Sequence, residues 1–193
     1  MMFSIIIPAF NASGHIRRAL DSIKAQTFKD YELIVVCDSC TDDTADIAAS
    51  YGARVITVNY HRDGLTRNAG IDAARGEWVL FLDDDDWWLH EFVLQQLAEV
   101  VGTHGEDVLR FSFIWRGQGY ARCGDWIAVW NKAWRRDFIG GTRFSDVKWW
   151  SDVDFNREMM NKHPIIADWD MPLYYYNYMR KGSISWLNEH QNT

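Results

Sequence analysis

Cysteine is scarce: Cys37, Cys40 and Cys123 are the only three among 193 residues. An odd, low number excludes a disulfide-built scaffold and predicts a reducing compartment. Cys37-Asp38-Ser39-Cys40 has CxxC spacing, but no second pair follows and a zinc site needs further ligands. Cys37 therefore reads as core and Cys40 as incidental. No apolar run approaches the roughly 18 residues of a membrane span. The opening MMFSIIIPAF has neither a basic region nor a long apolar segment, so it does not read as a signal peptide. A cytoplasmic location is expected, with a peripheral membrane contact and a homodimer left open. Positive charge is also short, with 20 Lys and Arg against 27 Asp and Glu and a formal net charge of -7. That balance excludes a nucleic-acid-coating protein, and one held on anionic lipid by charge alone.

What is present is alternation. Phe3 to Ile7 is an apolar run stopped by Pro8, and it reads as a buried strand. Ile16, Ala19, Leu20 and Ile23 follow at helical spacing, with Ser13 as the expected cap. Strands are predicted over 33–37, 55–58 and 78–82, and helices over 42–51, 65–74 and 91–101. Strand and helix in turn predict an α/β fold with a mostly parallel sheet covered on both faces. The second half is richer in Trp and Tyr. There, strands are predicted over 108–115, 127–130 and 173–178, and a helix over 152–160. No repeat, low-complexity tract or linker divides the chain. One domain over 1–193 is predicted, with a ligand-binding half (1–101) and a smaller mixed half (102–193).

In open α/β sheets, ligands bind beyond the carboxyl ends of the strands. Pro8-Ala9-Phe10-Asn11, Asp38 to Asp42, and Asp83-Asp84-Asp85-Asp86 all fall there and should converge. Four adjacent carboxylates oppose one another's ionisation, so the run needs a cation, either Arg or Lys or a divalent metal. In isolation it would equally suit a solvated turn.

Five segments then fall in a recognisable order. SIIIPAFN, YELIVVCDSCTDDT, GLTRNAGIDAARGEWVLFLDDDD, WSDVDF and PLYYYNYMRKGSIS together resemble the family 2 glycosyltransferases, enzymes of the GT-A fold. The resemblance implies a nucleotide pocket lined by Pro8, Ala9 and Asn11, with Asp38 accepting a hydrogen bond from the base. It implies that Arg67 faces the diphosphate or sugar of a nucleotide-sugar donor, by family habit a UDP-sugar. Asp83 and Asp85 match the outer positions of the DxD motif and imply a Mn2+ or Mg2+ site, with Asp85 the main ligand and Asp84 turned toward the sugar. Asp86 is expected to cap the next helix. Asp152 matches the catalytic base of an inverting, single-displacement reaction on an acceptor hydroxyl from a glycan, a lipid-linked saccharide or another molecule.

The sequence departs from the family pattern in places. Cys37 stands where an acidic residue is usual and Cys40 where a serine is, which opens the base selectivity. Ser151 replaces the usual Glu before Asp152. The short chain leaves little room for a separate acceptor domain, and without a QxxRW-like signature single-sugar transfer is expected.

Competing readings have less support. A nucleotidyltransferase usually carries a Gly-rich basic loop after the first strand, whereas PAFNASGH has one Gly and no Lys. A calcium module would need EF-hand spacing, which the acidic run lacks. A catalytically inactive relative that only binds a nucleotide or sugar remains an alternative. Asp42 is expected to be a turn residue, and Asp154 is the rival to Asp152. His163 and His190 are left outside the site. Trp78, Trp126 and Trp130 read as core, whereas Trp87, Trp88, Trp149 and Trp150 flank the acidic motifs. The last two are expected to line the acceptor site.

Overall fold

The structure is a computed structural model that describes residues 1–124, 126–178, 180, 181 and 183. Its centre is β1 (Phe3–Ala9), in which all seven residues are buried. A parallel strand covered on both faces has to be apolar on both, and FSIIIPA meets that demand. β2 (Tyr31–Asp38) and β4 (Trp78–Phe81) flank β1 in parallel, and β3 (Arg54–Val58) lies outside β2. Helices α1 (Ile16–Lys24), α2 (Thr44–Ser50) and α3 (Asp63–Ala73) connect these strands. α1 buries Ile16, Ala19, Leu20 and Ile23, the stripe expected from the spacing.

The first strand runs past Pro8. The carbonyl of Ile6 accepts the Leu82 N–H at 3.0 Å, so Ile6 faces β4. Pro8, two residues on, faces the same side, where β4 no longer pairs. Its missing N–H therefore costs no ladder bond. Ser13 is not the cap of α1. His15 holds that position, and the Ser13 N–H donates to Asp42 instead.

The second half extends the same sheet. After β5 (Trp87–Trp88), α4 (Val93–Val100), β6 (Val108–Trp115) and β7 (Gly119–Ala121) comes β8 (Lys132–Arg135), antiparallel to both β4 and β6. α5 (Arg136–Ile139) and α6 (Ser151–Met160) precede β9 (Ile166–Tyr176), which pairs with β6 in parallel and with β5 antiparallel. The order is β3-β2-β1-β4-β8-β6-β9-β5, with β7 on β6. Residues 127–130 are not a strand. They form the irregular approach to β8, whose Lys132 and Arg135 ends hide the apolar pattern.

α3 lies directly on β1. A Cβ built at Gly70 would come within 2.3 Å of Ile6 Cγ2. Gly70→Ala is therefore expected to destabilise by about 1–3 kcal/mol through overpacking. Urea denaturation would check this, and an unchanged midpoint would mean that the helix is free to lift off the strand.

Candidate active site

β1 is the point where the strand order reverses: the chain goes from β1 to β2 on one side, while β4 lies on the other. A crevice forms at such a point. Here it is a cavity of about 410 Å³ lined by Pro8, Ala9, Asp38, Arg67, Asp83, Asp84 and Asp85, among others. A second hollow of about 500 Å³ lies by the opposite ends of β2 and β3, and no aspartate lines it.

Each aspartate of the run has its own partner. Arg67 Nη2 donates to Asp83 Oδ1 at 2.6 Å. His15 Nε2 lies 3.1 Å from Asp84 Oδ1. Arg180 Nε donates to Asp85 Oδ2 at 2.6 Å. Asp86 caps no helix. It is fully buried and accepts from the Tyr174 hydroxyl at 2.6 Å and the Asn177 N–H at 2.7 Å. Its role is to tie the end of β9 to the acidic loop.

Arg67 is the hub. It is 4% exposed and donates to Asp63 one helical turn before it and to Asp83, while Asp152 Oδ1 lies 3.8 Å from its Nη1. Asp152 is brought there by contact between the N-terminal ends of α3 and α6. A Cβ at Gly64 would meet Ser151 Cβ at 2.9 Å, so a small residue at 151 suits this packing. Asp152 does not line the cavity itself but adjoins Arg67, which does. Among the described residues, Asp152 Oδ1 and Arg67 Nε are buried without a hydrogen-bond partner. Asp154, by contrast, is engaged by Ser145 and Arg157.

The carboxylates remain short of positive charge. Burial pushes the Asp83 pKa up to about 6; Arg67 opposes this, and the charges on Asp152, Asp85 and Asp84 add to it. Burial and then Asp84 raise that of Asp85, against Arg180. A carboxyl whose folded pKa lies above its unfolded value binds more protons folded than unfolded between the two. In EDTA, thermal stability should therefore fall as pH rises from about 4 to 6. Asp83→Asn should flatten that slope, and a slope unchanged in the variant would remove Asp83 as its source.

These carboxylates suit a hard divalent cation. Among the described residues, no three acidic, His or Cys side chains gather as a complete metal site. A cation here would draw further ligands from substrate phosphates and water, as Mg2+ sites do.

Several expected residues sit elsewhere. Asn11 does not line the cavity; its side chain accepts from the Thr41 N–H at 2.8 Å and so ties the first two loops together. The Asp38 carboxylate is already engaged. It accepts from the N–H groups of Tyr60, His61 and Arg62, with the Thr66 and Ser39 hydroxyls also within hydrogen-bond distance. The Thr66 hydroxyl also reaches the Arg62 carbonyl at 2.8 Å and that of Ser39 the Asn59 Oδ1 at 2.6 Å, so a bond to a base would have to displace one of these hydroxyls. Burial pushes its pKa up, but the hydrogen bonds outweigh burial and hold it below the usual range. Asp42 is the expected turn residue, accepting from Thr44 and Ser13.

Trp149 lines the cavity, but Trp150 turns outward, 68% exposed. Trp87 stacks between Arg18 and Tyr175, and Trp88 is buried. Trp78 and Trp130 are core, but Trp126 is 36% exposed. His163 lies past the far end of α6 from Asp152, and His190 lies outside the described residues. Arg180 and His15 escaped the sequence reading. Arg180-Lys181, a basic pair in an acidic chain, was the available signal.

This sheet, with acidic residues at its switch point, is the GT-A fold of glycosyltransferases. The chain belongs to glycosyl transferase family 2, whose model matches residues 4–161. It is 38% identical over 133 residues to a PGL/p-HBAD biosynthesis glycosyltransferase of Mycobacterium tuberculosis, covering 60% of this chain and 51% of that one. The chain thus spans about half the length of that relative. The structure of S. aureus TarS 1–349 in complex with UDP-GlcNAc superposes with a TM-score of 0.81 at 25% identity, covering 91% of this chain and 58% of that 1–349 chain. A mannosyltransferase from Pyrobaculum calidifontis, in complex with GDP-Man and Mn2+, shares the fold with a TM-score of 0.76 at 14% identity, covering 95% and 59%. Among the described residues, no helix is long and apolar enough to cross a membrane.

Proposed function

We propose that this chain transfers a single sugar from a UDP-sugar to an acceptor hydroxyl, with inversion, using Asp152 as general base. The observation that carries this reading is the cavity in which Asp83, Asp84, Asp85, Arg67 and Arg180 meet. The UDP-GlcNAc bound by TarS supports uridine in the donor. Recognition of the base would draw on Pro8, Ala9, Asp38 and the His61–Arg62 segment, which line the same cavity.

Asp83 and Asp85 would hold Mn2+ or Mg2+, which supplies charge stabilisation to the leaving diphosphate. Arg67 keeps Asp83 in place, and Arg180 does the same for Asp85. Asp84, steadied by His15, faces the sugar. Asp152, its side chain 26% exposed and its Oδ1 held 3.8 Å from Arg67 Nη1, would accept the proton of an incoming hydroxyl. A direct displacement then breaks the bond from the sugar to the diphosphate as the new glycosidic bond forms.

Calorimetry with UDP tests the donor half of this reading. UDP should bind with Mn2+ present and fail with EDTA, and Asp85→Ala should weaken it by about 100-fold, or ~2.7 kcal/mol. UDP affinity independent of metal would sink the cation assignment. NMR of the product's anomeric carbon tests the rest, and retained configuration would reject single displacement.

A further inference from the structure

We infer that the loop over residues 126–131 carries a binding platform for a saccharide acceptor, with Trp126 as its stacking face. This deepens the transferase reading and rests on it. The loop is held from within. Lys132 is 2% exposed, and its ammonium donates to the carbonyls of Trp126 and Ala128 and to Asn131 Oδ1. Asn156 on α6 donates to the carbonyl of Ile127 and, at 2.9 Å, to that of Asp152. The same helix thus holds both the proposed base and this loop.

Burying an ammonium is costly unless hydrogen bonds replace its water. Here that cost fixes a loop that buries Val129 and Trp130 in the core while presenting Trp126, at 36%, and Ile127, at 48% exposure, to solvent. Rings link the loop to the cavity. Trp126 meets Trp115 edge to face at 5.4 Å, and Trp115 meets Tyr178, which lines the cavity, at 5.1 Å.

The border of this surface favours a sugar over a lipid chain. The Trp126 indole N–H donates to the carbonyl of Arg122, whose side chain pairs with Asp170 at 3.1 Å. An acyl chain needs a continuous apolar strip. A pyranose ring packs its C–H face on an aromatic ring while its hydroxyls reach polar groups at the edge.

The test is 19F NMR of the whole chain carrying 5-fluorotryptophan, with UDP and diamagnetic Mg2+ present. Lactose, maltose, cellobiose and N-acetyllactosamine are titrated in turn, then a lysophospholipid below its micelle concentration. Trp126→Phe assigns the resonance. At least one disaccharide should shift it while the buried Trp78 resonance stays still. Trp126→Ala should weaken that disaccharide about tenfold, or ~1.4 kcal/mol, with UDP affinity unchanged. A Trp126 resonance that no saccharide moves, or that only the lipid moves, overturns the inference, and this wild-type titration stands even if Trp126→Ala folds poorly. If UDP itself fails to bind, the donor reading fails instead, and the two failures are told apart in one sample.

Discussion

Asp152→Asn is expected to lower kcat by about 10²–10⁴-fold, the contribution of a positioned general base. The carboxamide keeps the size of the side chain but cannot take a proton at neutral pH. UDP affinity should change little, because Asp152 does not line the donor cavity. Its approach to Arg67, at 3.8 Å, is also longer than a hydrogen bond. Single-turnover rates with a UDP-sugar, beside calorimetry of UDP, would show the split. A variant with full kcat would remove Asp152 as the base. Asp154 could not simply inherit the role, since Ser145 and Arg157 already engage it.

Arg67→Met is expected to destabilise the protein by about 3–5 kcal/mol at pH 7, the cost of removing one partner from a buried charge group. Methionine replaces much of the length and apolar contact but leaves Asp63, Asp83 and Asp152 facing one another without the guanidinium between them. The sign of the pH dependence identifies the cause. Arg67 lowers the Asp83 pKa against burial, so its loss raises that pKa further. The variant's folded state then takes up protons more readily than its unfolded chain as pH falls, so the deficit should shrink between pH 7 and pH 5. Urea titrations at the two pH values would measure it. An equal deficit at both would point to lost packing, for instance against the Phe144 ring 5.8 Å away.

Much of the first half was legible because each element there answers to one local rule. Seven buried residues in succession make a parallel strand, and a stripe at helical spacing makes α1. The aspartate run, the Arg67 helix and the Asp152 helix start were readable as motifs in order. Boundaries slipped where a neighbour decided them. Pro8 ends a strand by local rule, yet β1 continues, because its partner on that side has already stopped. β8 was missed because four residues with charged ends carry too little pattern; antiparallel pairing with β4 and β6 makes it a strand.

The sequence by itself determined that carboxylates would gather beyond the ends of parallel strands and that they would need cations. Strand order and side-chain alternation suffice for that. Which cation meets which carboxylate was decided only in three dimensions. Arg67 sits 16 residues from Asp83, and Arg180 sits 95 from Asp85. The same holds for Asp38, whose carboxylate is engaged by a loop more than 20 residues away. Hydrogen bonds and ion pairs act over about 3 Å, so residue order alone does not specify partners brought together by the fold.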